Sequence, residues 1–575
     1  MRSNFDIILQ RRMNWILLFF LAALTALIGR LFMLQIVYHK EYVELASKQQ
    51  TLVKNILSER GAIFAQDKSG NLVPLALNKR QEILIASPKD IKNPEAIAEI
   101  LTISFNLRKE DILPKLTKAG DPHEVLLKNV ELEVAEKFEK LNIRGLFFED
   151  DKKRVYPHKA TGAHFLGFVS KENGEAVGKY GLEKFYDDDL SGEKGIFKGA
   201  KGAASFFMNL GRRIISPPEN GSNLTLTVDF NIQKKAEEVL DAVKKKWQAY
   251  SAAVLVLEPK TGKILALAGN KSYDPNEFSK ESDFSIFLNP LVESTYELGS
   301  VLKPITMAGG LEEGLVGPDT TYEDPGEIKF GGYTIKNFDG KSYKTQTMTQ
   351  VLEKSLNTGA VHVSRLLGKE RQLAYIKKFG FGEKTGIDLP GEVTGNISNL
   401  KAGRDIDFAT ASFGQGMAVT PLQLAMAIGA IANGGELLKP YLVERIKDDS
   451  GNEIKKEAQI VRQVISKEKA EILTKMLVSA VRSGFENRAG VKGYFVAGKT
   501  GTAQIPRSDG RGYDPDKVIH TFVGYAPAFN PKFLVLLQLN EPRGNRFAAN
   551  TLTPAFHDLA EYILNYYEIP PDEPR

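Results

Sequence analysis

The chain has 575 residues, which is enough for more than one domain and a large core. Its 76 basic and 71 acidic residues leave a net charge of only +5, and no DNA- or RNA-binding motif is present, so a nucleic-acid partner is not expected. Cysteine is absent, which excludes disulfides, thiolate catalysis and cysteine-bound metals. The seven histidines form no HExxH pair, and we expect no metal and no cofactor.

The first predicted element is an uncleaved membrane anchor over residues 13–37, after a short tail of residues 1–12. Residues 13–29 contain no charge and would span about 25 Å as a helix, and residues 31–37 extend them toward a bilayer core of ~30 Å. The alternative is a cleaved signal peptide, but no A-x-A site follows the apolar run. The tail is net positive, which predicts that it lies in the cytoplasm and that the chain after residue 38 lies outside.

Residues 38–222 predict a mixed α/β domain without catalytic motifs. Residues 59–71 have the pattern of a strand, a turn and a second strand, and residues 130–141 have amphipathic helical spacing. Residues 192–223 are rich in glycine, lysine and arginine and contain a Pro-Pro pair, so we predict a loop or linker there.

Residues 223–567 predict a second domain of the α+β class, followed by a tail of residues 568–575. The predicted strands are residues 223–229, 252–257, 264–268, 494–497, 521–525 and 533–539. The predicted helices are residues 232–247, 422–432, 470–481 and 553–567. Strands at both ends with helices between them predict one antiparallel sheet, flanked by helices and completed by the two ends of the domain.

A serine and a lysine lie three residues apart within the sequence ELGSVLKP. If a helix begins at Ser300, positions i and i+3 share one face, so Lys303 can reach the Ser300 hydroxyl. Lysine can activate a serine only if its pKa falls from about 10.4 to near neutrality, a bias of about 4 kcal/mol against the cation. Burial and a second cation both lower a lysine pKa, so the pattern calls for another lysine in the same cleft. A chance match is the alternative interpretation of such a short pattern.

Two further motifs supply suitable partners. Ser355-x-Asn357 offers a hydroxyl and an amide that can relay a proton and hold Lys303 or a substrate amide, although a plain helix cap has the same pattern. The sequence GKTGTA at residues 498–503 predicts an exposed edge strand whose glycine permits close approach. Lys499 there is the second cation that the first motif requires.

Residues 493–500 also fit the G-x-x-x-x-G-K-[ST] pattern of a phosphate-binding loop. That loop needs a strand before its first glycine and a helix after its Lys-Thr pair. Here the strand-like residues lie between the two glycines, and Gly501 follows the pair directly. We therefore reject nucleotide binding.

In this order, Ser300-x-x-Lys303, Ser355-x-Asn357 and Lys499-Thr-Gly resemble the active-site triplet of penicillin-binding proteins and serine β-lactamases. The middle motif has leucine where the pattern has aspartate, which argues against class A β-lactamases more than against transpeptidases. Further stretches of the chain resemble class B penicillin-binding proteins, namely RGAIF at residues 60–64, YGLE at 180–183, GQG at 414–416 and FVGYAP at 522–527.

The likeness covers nearly the whole chain and implies an anchor, an elongated pedestal (dimerisation) domain and a transpeptidase domain. Length and the lack of large insertions resemble the septal, cell-division type more than the elongation type, and no glycosyltransferase domain precedes the pedestal.

The resemblance implies D,D-transpeptidation of peptidoglycan stem peptides, with β-lactams as covalent inhibitors. The implied catalytic residues are Ser300, Lys303, Ser355, Asn357 and Lys499, and the implied substrate-binding residues are Thr500, Gly501 and Thr502. A membrane glycosyltransferase and division proteins are the implied partners. A carboxypeptidase or β-lactam hydrolase would use the same triplet, and a membrane-anchored scaffold or β-lactam sensor is the non-enzymatic alternative.

Overall fold

The computed structural model describes residues 3–42, 51–56, 58–118, 120–172, 175–200, 213–269, 272–330, 332–484, 486–507 and 512–573. These residues fall into two compact units, which are taken separately here. The first contains residues 1–59 and 192–221, and the second contains residues 60–191 and 222–575.

The first unit contains the predicted anchor. Helix Ser3–Phe32 continues into one wider turn, Met33–Val37, and the span Leu9–Val37 is long and apolar enough to cross a membrane. The predicted anchor at residues 13–37 therefore lies inside one continuous helical segment.

The same unit contains a three-stranded antiparallel sheet in the order Thr51–Ile56, Gly195–Ala200, Arg213–Ser216. The prediction of a loop over residues 192–223 is therefore wrong at both ends of that range. Strand Gly195–Ala200 has the sequence GIFKGA, whose glycines favour a loop over a strand, and it pairs with Thr51–Ile56 from about 140 residues upstream.

The pedestal portion of the second unit is built on a seven-stranded sheet. Its strands are, in spatial order, Glu453–Lys455, Val443–Lys447, Asn223–Asp229, Ile63–Gln66, Leu72–Ala86 and Glu124–Val130, with Leu146–Val155 also paired to Leu72–Ala86. The predicted order of strand, turn and strand is confirmed, but with later bounds than residues 59–71: the strands are Ile63–Gln66 and Leu72–Ala86. Asp67 Oδ1 closes the turn by accepting the N–H groups of Ser69 and Asn71 at 2.8 and 2.9 Å.

This sheet crosses the predicted domain boundary at residue 222. Asn223–Asp229 pairs in parallel with Ile63–Gln66 and antiparallel with Val443–Lys447. The remaining elements of this portion are the hairpin Phe168–Glu172 and Glu175–Lys179 and the helices Pro94–Phe105, Lys109–Leu116, Leu132–Glu139, Ala163–Leu166, Gly181–Phe185 and Asp187–Ser191.

The three predicted active-site motifs lie around a five-stranded antiparallel sheet, called the central sheet below. Its spatial order is Ile264–Gly269, Ser251–Leu257, Phe533–Asn540, Tyr513–Ala526 and Ala497–Pro506. Its inner strands are apolar at almost every position, as expected for strands covered on both faces. The predicted antiparallel sheet, completed by the two ends of the domain, is confirmed.

Two apolar layers cover the central sheet. Helices Phe230–Trp247 and Thr553–Tyr566 pack on the face that contains Val254 and Leu537. Helices Pro421–Ala432 and Lys467–Ser479 pack against the opposite face. Helices Lys303–Glu312, Met348–Glu353 and Asn357–Lys378 pack on those two helices and on one another, within the same apolar core. The short helices are Pro290–Glu293, Asp405–Ala411 and Ala548–Thr551. Four two-stranded antiparallel sheets pair Tyr296–Glu297 with Ala418–Val419, Thr321–Asp324 with Lys344–Thr347, Glu327–Phe330 with Tyr333–Lys336, and Glu436–Leu438 with Ile460–Gln463.

One predicted strand is misplaced. The strand expected at residues 494–497 begins at Ala497 and continues to Pro506. The apolar residues before it pack against the end of the chain instead: the Tyr494 hydroxyl donates to the Ile569 carbonyl at 2.5 Å, and the Phe495 N–H donates to Asp572 at 2.8 Å.

Candidate active site

The Ser300 motif forms a tight turn that leads into a helix. Gly299–Leu302 is a single 3₁₀ turn, and helix Lys303–Glu312 follows it with Pro304 in its first turn. Lys303 Nζ lies 2.9 Å from Ser300 Oγ. The predicted reach of the lysine to the serine hydroxyl is confirmed, although the first turn is tighter than an α-helix.

Ser355 lies between two lysines. Lys303 Nζ donates to the Ser355 carbonyl at 2.5 Å and lies 3.1 Å from the Ser355 hydroxyl oxygen. Lys499 Nζ lies 3.0 Å from the same hydroxyl oxygen. The structure therefore brings the three sequence motifs together at one point, with the Ser355 hydroxyl as the bridge.

Lys499 lies on the last strand of the central sheet, Ala497–Pro506, as the edge-strand prediction requires. Its Nζ also donates to the Thr500 carbonyl at 3.1 Å. The expectation of exposure is wrong for the motif itself, because Lys499 and Lys303 are each only 1% exposed and Thr500 is 9% exposed. The serine turn packs directly against this strand and covers it.

Burial of two ammonium groups so close together lowers both of their pKa values. Desolvation lowers the pKa of Lys303 well below its ordinary value, and the positive charge of Lys499 lowers it further. Desolvation lowers the pKa of Lys499 to about 7. Because two causes act on Lys303, we expect it to lose its proton first, which leaves a neutral amine beside Ser300 and a cation at Lys499.

Glycines permit the close contact between the serine turn and the edge strand. Gly299 has φ +60°, and a Cβ there would lie 2.9 Å from the Thr502 carbonyl oxygen. A Cβ on Gly501 would lie 2.9 Å from the Leu298 carbonyl oxygen. Gly414 accepts the Gly299 N–H at 3.0 Å and has no room for a side chain, since its Cβ would lie 2.2 Å from the Gly299 carbonyl oxygen.

The cluster opens onto a cleft of ≈1270 Å³. Five predicted site residues line it, namely Ser300, Ser355, Asn357, Thr500 and Thr502, whereas the two lysines lie buried behind them. Gly501 belongs to the wall of the strand that faces the serine turn.

Asn357 does not make the expected contact with Lys303. Its side-chain N–H donates to the Lys336 carbonyl at 2.8 Å. Thr502 Oγ1 accepts the Ala548 N–H at 3.2 Å, which joins the edge strand to the start of helix Ala548–Thr551, another part of the cleft lining.

Several residues of the cleft carry no motif and were not predicted from the sequence. The Tyr513 hydroxyl donates to Glu297 at 2.9 Å and ties the hairpin of the edge strand to the segment before Ser300. The rings of Phe338 and Phe547 meet edge to face at 5.5 Å on the cleft surface. Their partners lie some 200 residues away in the sequence, so no local signal marks them.

Comparisons with known proteins agree with this site. Residues 252–561 match the model of the penicillin-binding protein transpeptidase domain, and residues 55–226 match that of the penicillin-binding protein dimerisation domain. Stage V sporulation protein D of Bacillus subtilis is 33% identical over 96% of this chain and 84% of its own length. The peptidoglycan D,D-transpeptidase FtsI homolog of Mesostigma viride is 30% identical over 97% of this chain and 96% of its own.

Among solved structures, penicillin-binding protein 3 of Mycobacterium tuberculosis in complex with aztreonam superimposes with a TM-score of 0.70 at 25% identity, covering 91% of this chain and 99% of that one. The chain belongs to the penicillin-binding proteins. It carries a dimerisation domain ahead of a transpeptidase domain and is accordingly of class B.

Proposed function

We propose that this protein is a serine D,D-transpeptidase that cross-links peptidoglycan stem peptides through an acyl-enzyme on Ser300. The observation that carries the proposal is the set of three short distances from Lys303 to Ser300 and from Lys303 and Lys499 to Ser355, all behind a large cleft. The relatives named as peptidoglycan D,D-transpeptidases support the choice of reaction.

The neutral Lys303 amine takes the proton of the Ser300 hydroxyl as its oxygen attacks the D-Ala–D-Ala carbonyl. The N–H groups of Ser300 and Thr502 stabilise the oxyanion. When the tetrahedral intermediate collapses, the C–N bond breaks and Ser355 relays the proton from Lys303 to the departing D-alanine. The enzyme then holds the donor peptide as an ester.

A second stem peptide completes the exchange. Its amine attacks the ester carbonyl, gives its proton to Lys303, and releases the Ser300 oxygen, which regains a proton. Lys499 and Thr500 bind the terminal carboxylate of the donor peptide, and the charge of Lys499 keeps Lys303 neutral. Asn357 lines the same cleft and holds the peptide backbone.

We place the protein in a bacterial cytoplasmic membrane, with its N-terminus in the cytoplasm and the catalytic domain outside. The positive first twelve residues support this orientation. A membrane glycosyltransferase would supply the glycan strands whose peptides are joined here. We assign the chain to septal wall synthesis, and depletion in the native cell tests this: a septal enzyme leaves filaments without completed septa, whereas rounded cells would indicate an elongation enzyme.

The reaction itself is tested by release of D-alanine from a synthetic pentapeptide. We expect release from the wild type to yield a cross-linked product when an acceptor amine is added, and no release from Ser300→Ala. Release that gives only the hydrolysed tetrapeptide, whatever the amine concentration, would identify a carboxypeptidase instead.

A further inference from the structure

A buried polar cluster lies directly behind the Ser355 motif. We call it the capping cluster; it consists of Asp324, Asn337 and Thr358, which are 3%, 2% and 0% exposed. Asp324 accepts the Thr358 hydroxyl at 2.6 Å, and the Asn337 side-chain N–H lies 3.1 and 3.0 Å from the two carboxylate oxygens of Asp324. The backbone N–H groups of Gly326 and Tyr343 also donate to Asp324. Because the polar side-chain atoms of all three residues are hydrogen-bonded, the network favours one geometry.

The capping cluster caps the helix that follows Ser355. The first N–H groups of a helix have no partner within it, and Leu356 at the cap position has no side-chain acceptor. Asn337 supplies one from 20 residues upstream: its side-chain oxygen accepts the Asn357 N–H at 3.0 Å and the Thr358 N–H at 3.3 Å. The carboxylate of Asp324 lies next to Asn337, and its negative charge interacts favourably with the positive, N-terminal end of the helix dipole.

Ser355 itself adopts a backbone conformation that needs such support. Its φ is +55°, a left-handed value that non-glycine residues keep only where the surrounding structure holds them. Both the carbonyl and the hydroxyl of Ser355 contact Lys303. A small rotation of this residue would therefore break two contacts at the catalytic lysine.

We propose that Asp324 and Asn337 are positioning residues that hold Ser355 between Lys303 and Lys499. They are buried, and their neighbours Lys336 and Phe338 line the cleft in their place. The inference rests on the proposed function, since it concerns the acylation of Ser300. The same cluster connects residues 333–343, which form one wall of the cleft, to the Ser355 motif. It therefore positions both the surface that contacts the substrate and the serine that relays the proton.

The test is the rate at which a fluorescent penicillin acylates the full-length protein, measured across pH, with Asp324→Asn. This change keeps the shape but presents an N–H where four donors converge. We expect acylation of the folded variant to slow at least tenfold. We also expect the midpoint of the rise in acylation rate with pH to move upward. A displaced Ser355 would let the two lysines separate and water enter, and both changes raise the pKa of Lys303.

The matched control is Asp229→Asn. Asp229 is also a buried aspartate, 5% exposed, and it caps helix Phe230–Trp247 by accepting the N–H groups of Asn231 and Ile232. That helix lies against the face of the central sheet away from the serine turn. We expect acylation within twofold of the wild type and an unchanged midpoint. A midpoint shift of equal size in this control would overturn the proposal, because it would reveal a general effect of weakened folding.

Two further variants complete the test. Thr358→Val removes, at nearly constant volume, the hydroxyl that donates to Asp324 at 2.6 Å and lies 3.1 Å from both Asn337 Oδ1 and the Tyr322 hydroxyl. We expect this variant to fold and to slow acylation several-fold. The exchange Asp324→Asn with Asn337→Asp restores one carboxylate facing one amide and should recover part of the lost rate. Wild-type rates and midpoints in both Asp324→Asn and Thr358→Val would refute the positioning role. Absence of labelling in the wild type would instead refute the proposed function.

Discussion

The charge of Lys499 should set the pH range in which Ser300 is acylated. The perturbation is Lys499→Met, which removes the ammonium group and keeps an unbranched side chain in the buried position. Acylation requires Lys303 to be neutral, so its rate rises with pH through the pKa of Lys303. Because a neighbouring cation lowers that pKa, its removal must raise it and move the rise in rate to higher pH.

The strength of the repulsion between the two lysines follows from the distance between their nitrogens. Both lysine nitrogens bond to the Ser355 hydroxyl, at 3.1 and 3.0 Å, so they are no more than about 6 Å apart. With an effective dielectric constant of about 20, two unit charges at that separation repel by about 3 kcal/mol. Removal of this repulsion raises the pKa of Lys303, so we expect the midpoint of the acylation profile to move to clearly higher pH.

The assay is the second-order rate of labelling by a fluorescent penicillin between pH 5 and 10, with folding checked by circular dichroism. The maximal rate will also fall, since Lys499 binds the carboxylate of the ligand, but the midpoint reports the pKa alone. Lys354→Met is the matched control, because Lys354 lines the same cleft while its Nζ donates to Gln346 at 2.8 Å. An unchanged midpoint in Lys499→Met, or an equal shift in Lys354→Met, would refute the coupling of Lys499 to Lys303.

Two further predictions concern packing and stability. Gly299→Ala should lower the acylation rate at least tenfold, because the new Cβ would lie only 2.9 Å from the edge strand. Gly314→Ala is the control and should acylate normally, since Gly314 has a similar φ of +66° but open space around it. Equal acylation rates in the two variants would contradict this prediction. Glu183→Gln should lower the free energy of unfolding by about 3 kcal/mol or more, because Glu183 is fully buried between the guanidinium groups of Arg60 and Arg154. Burial alone would raise the pKa of Glu183, but Arg154 and Arg60 lower it. Its contribution is therefore present above the unfolded pKa of about 4.3 and is lost as the pH falls below it, so thermal scans of the wild type and the variant should converge in acid.

The parts of the site that could be predicted from the sequence are those set by local geometry or by a motif. The three-residue spacing of Ser300 and Lys303 fixes their contact, because both lie in one helical turn. The need for a second cation follows from the pKa that the first lysine must have, and Lys499 meets it. The antiparallel hairpin at the start of the central sheet likewise follows from two short apolar runs, residues 252–257 and 264–268, on either side of the turn residues Pro259-Lys-Thr-Gly262.

The parts that could not be predicted depend on partners distant in the sequence. Asn337 caps the helix at Asn357 from another segment, so the Ser355 motif shows no capping signal of its own. The apolar run at residues 494–497 is equally suited to a strand or a packed turn, and contact with Ile569 at the chain end decides for the turn. The glycine-containing sequence of strand Gly195–Ala200 favours a linker, and its pairing with the distant strand Thr51–Ile56 makes it a strand.

The central claim is that Ser300 carries the acyl group, and mapping of the penicillin adduct tests it most directly. The purified protein is incubated with a penicillin, digested and analysed by mass spectrometry, with Ser300→Ala and Ser355→Ala in parallel. We predict one covalent adduct on the peptide that contains Ser300, none in Ser300→Ala, and slower formation at the same residue in Ser355→Ala. An adduct on Ser355, or undiminished labelling of Ser300→Ala, would contradict the account.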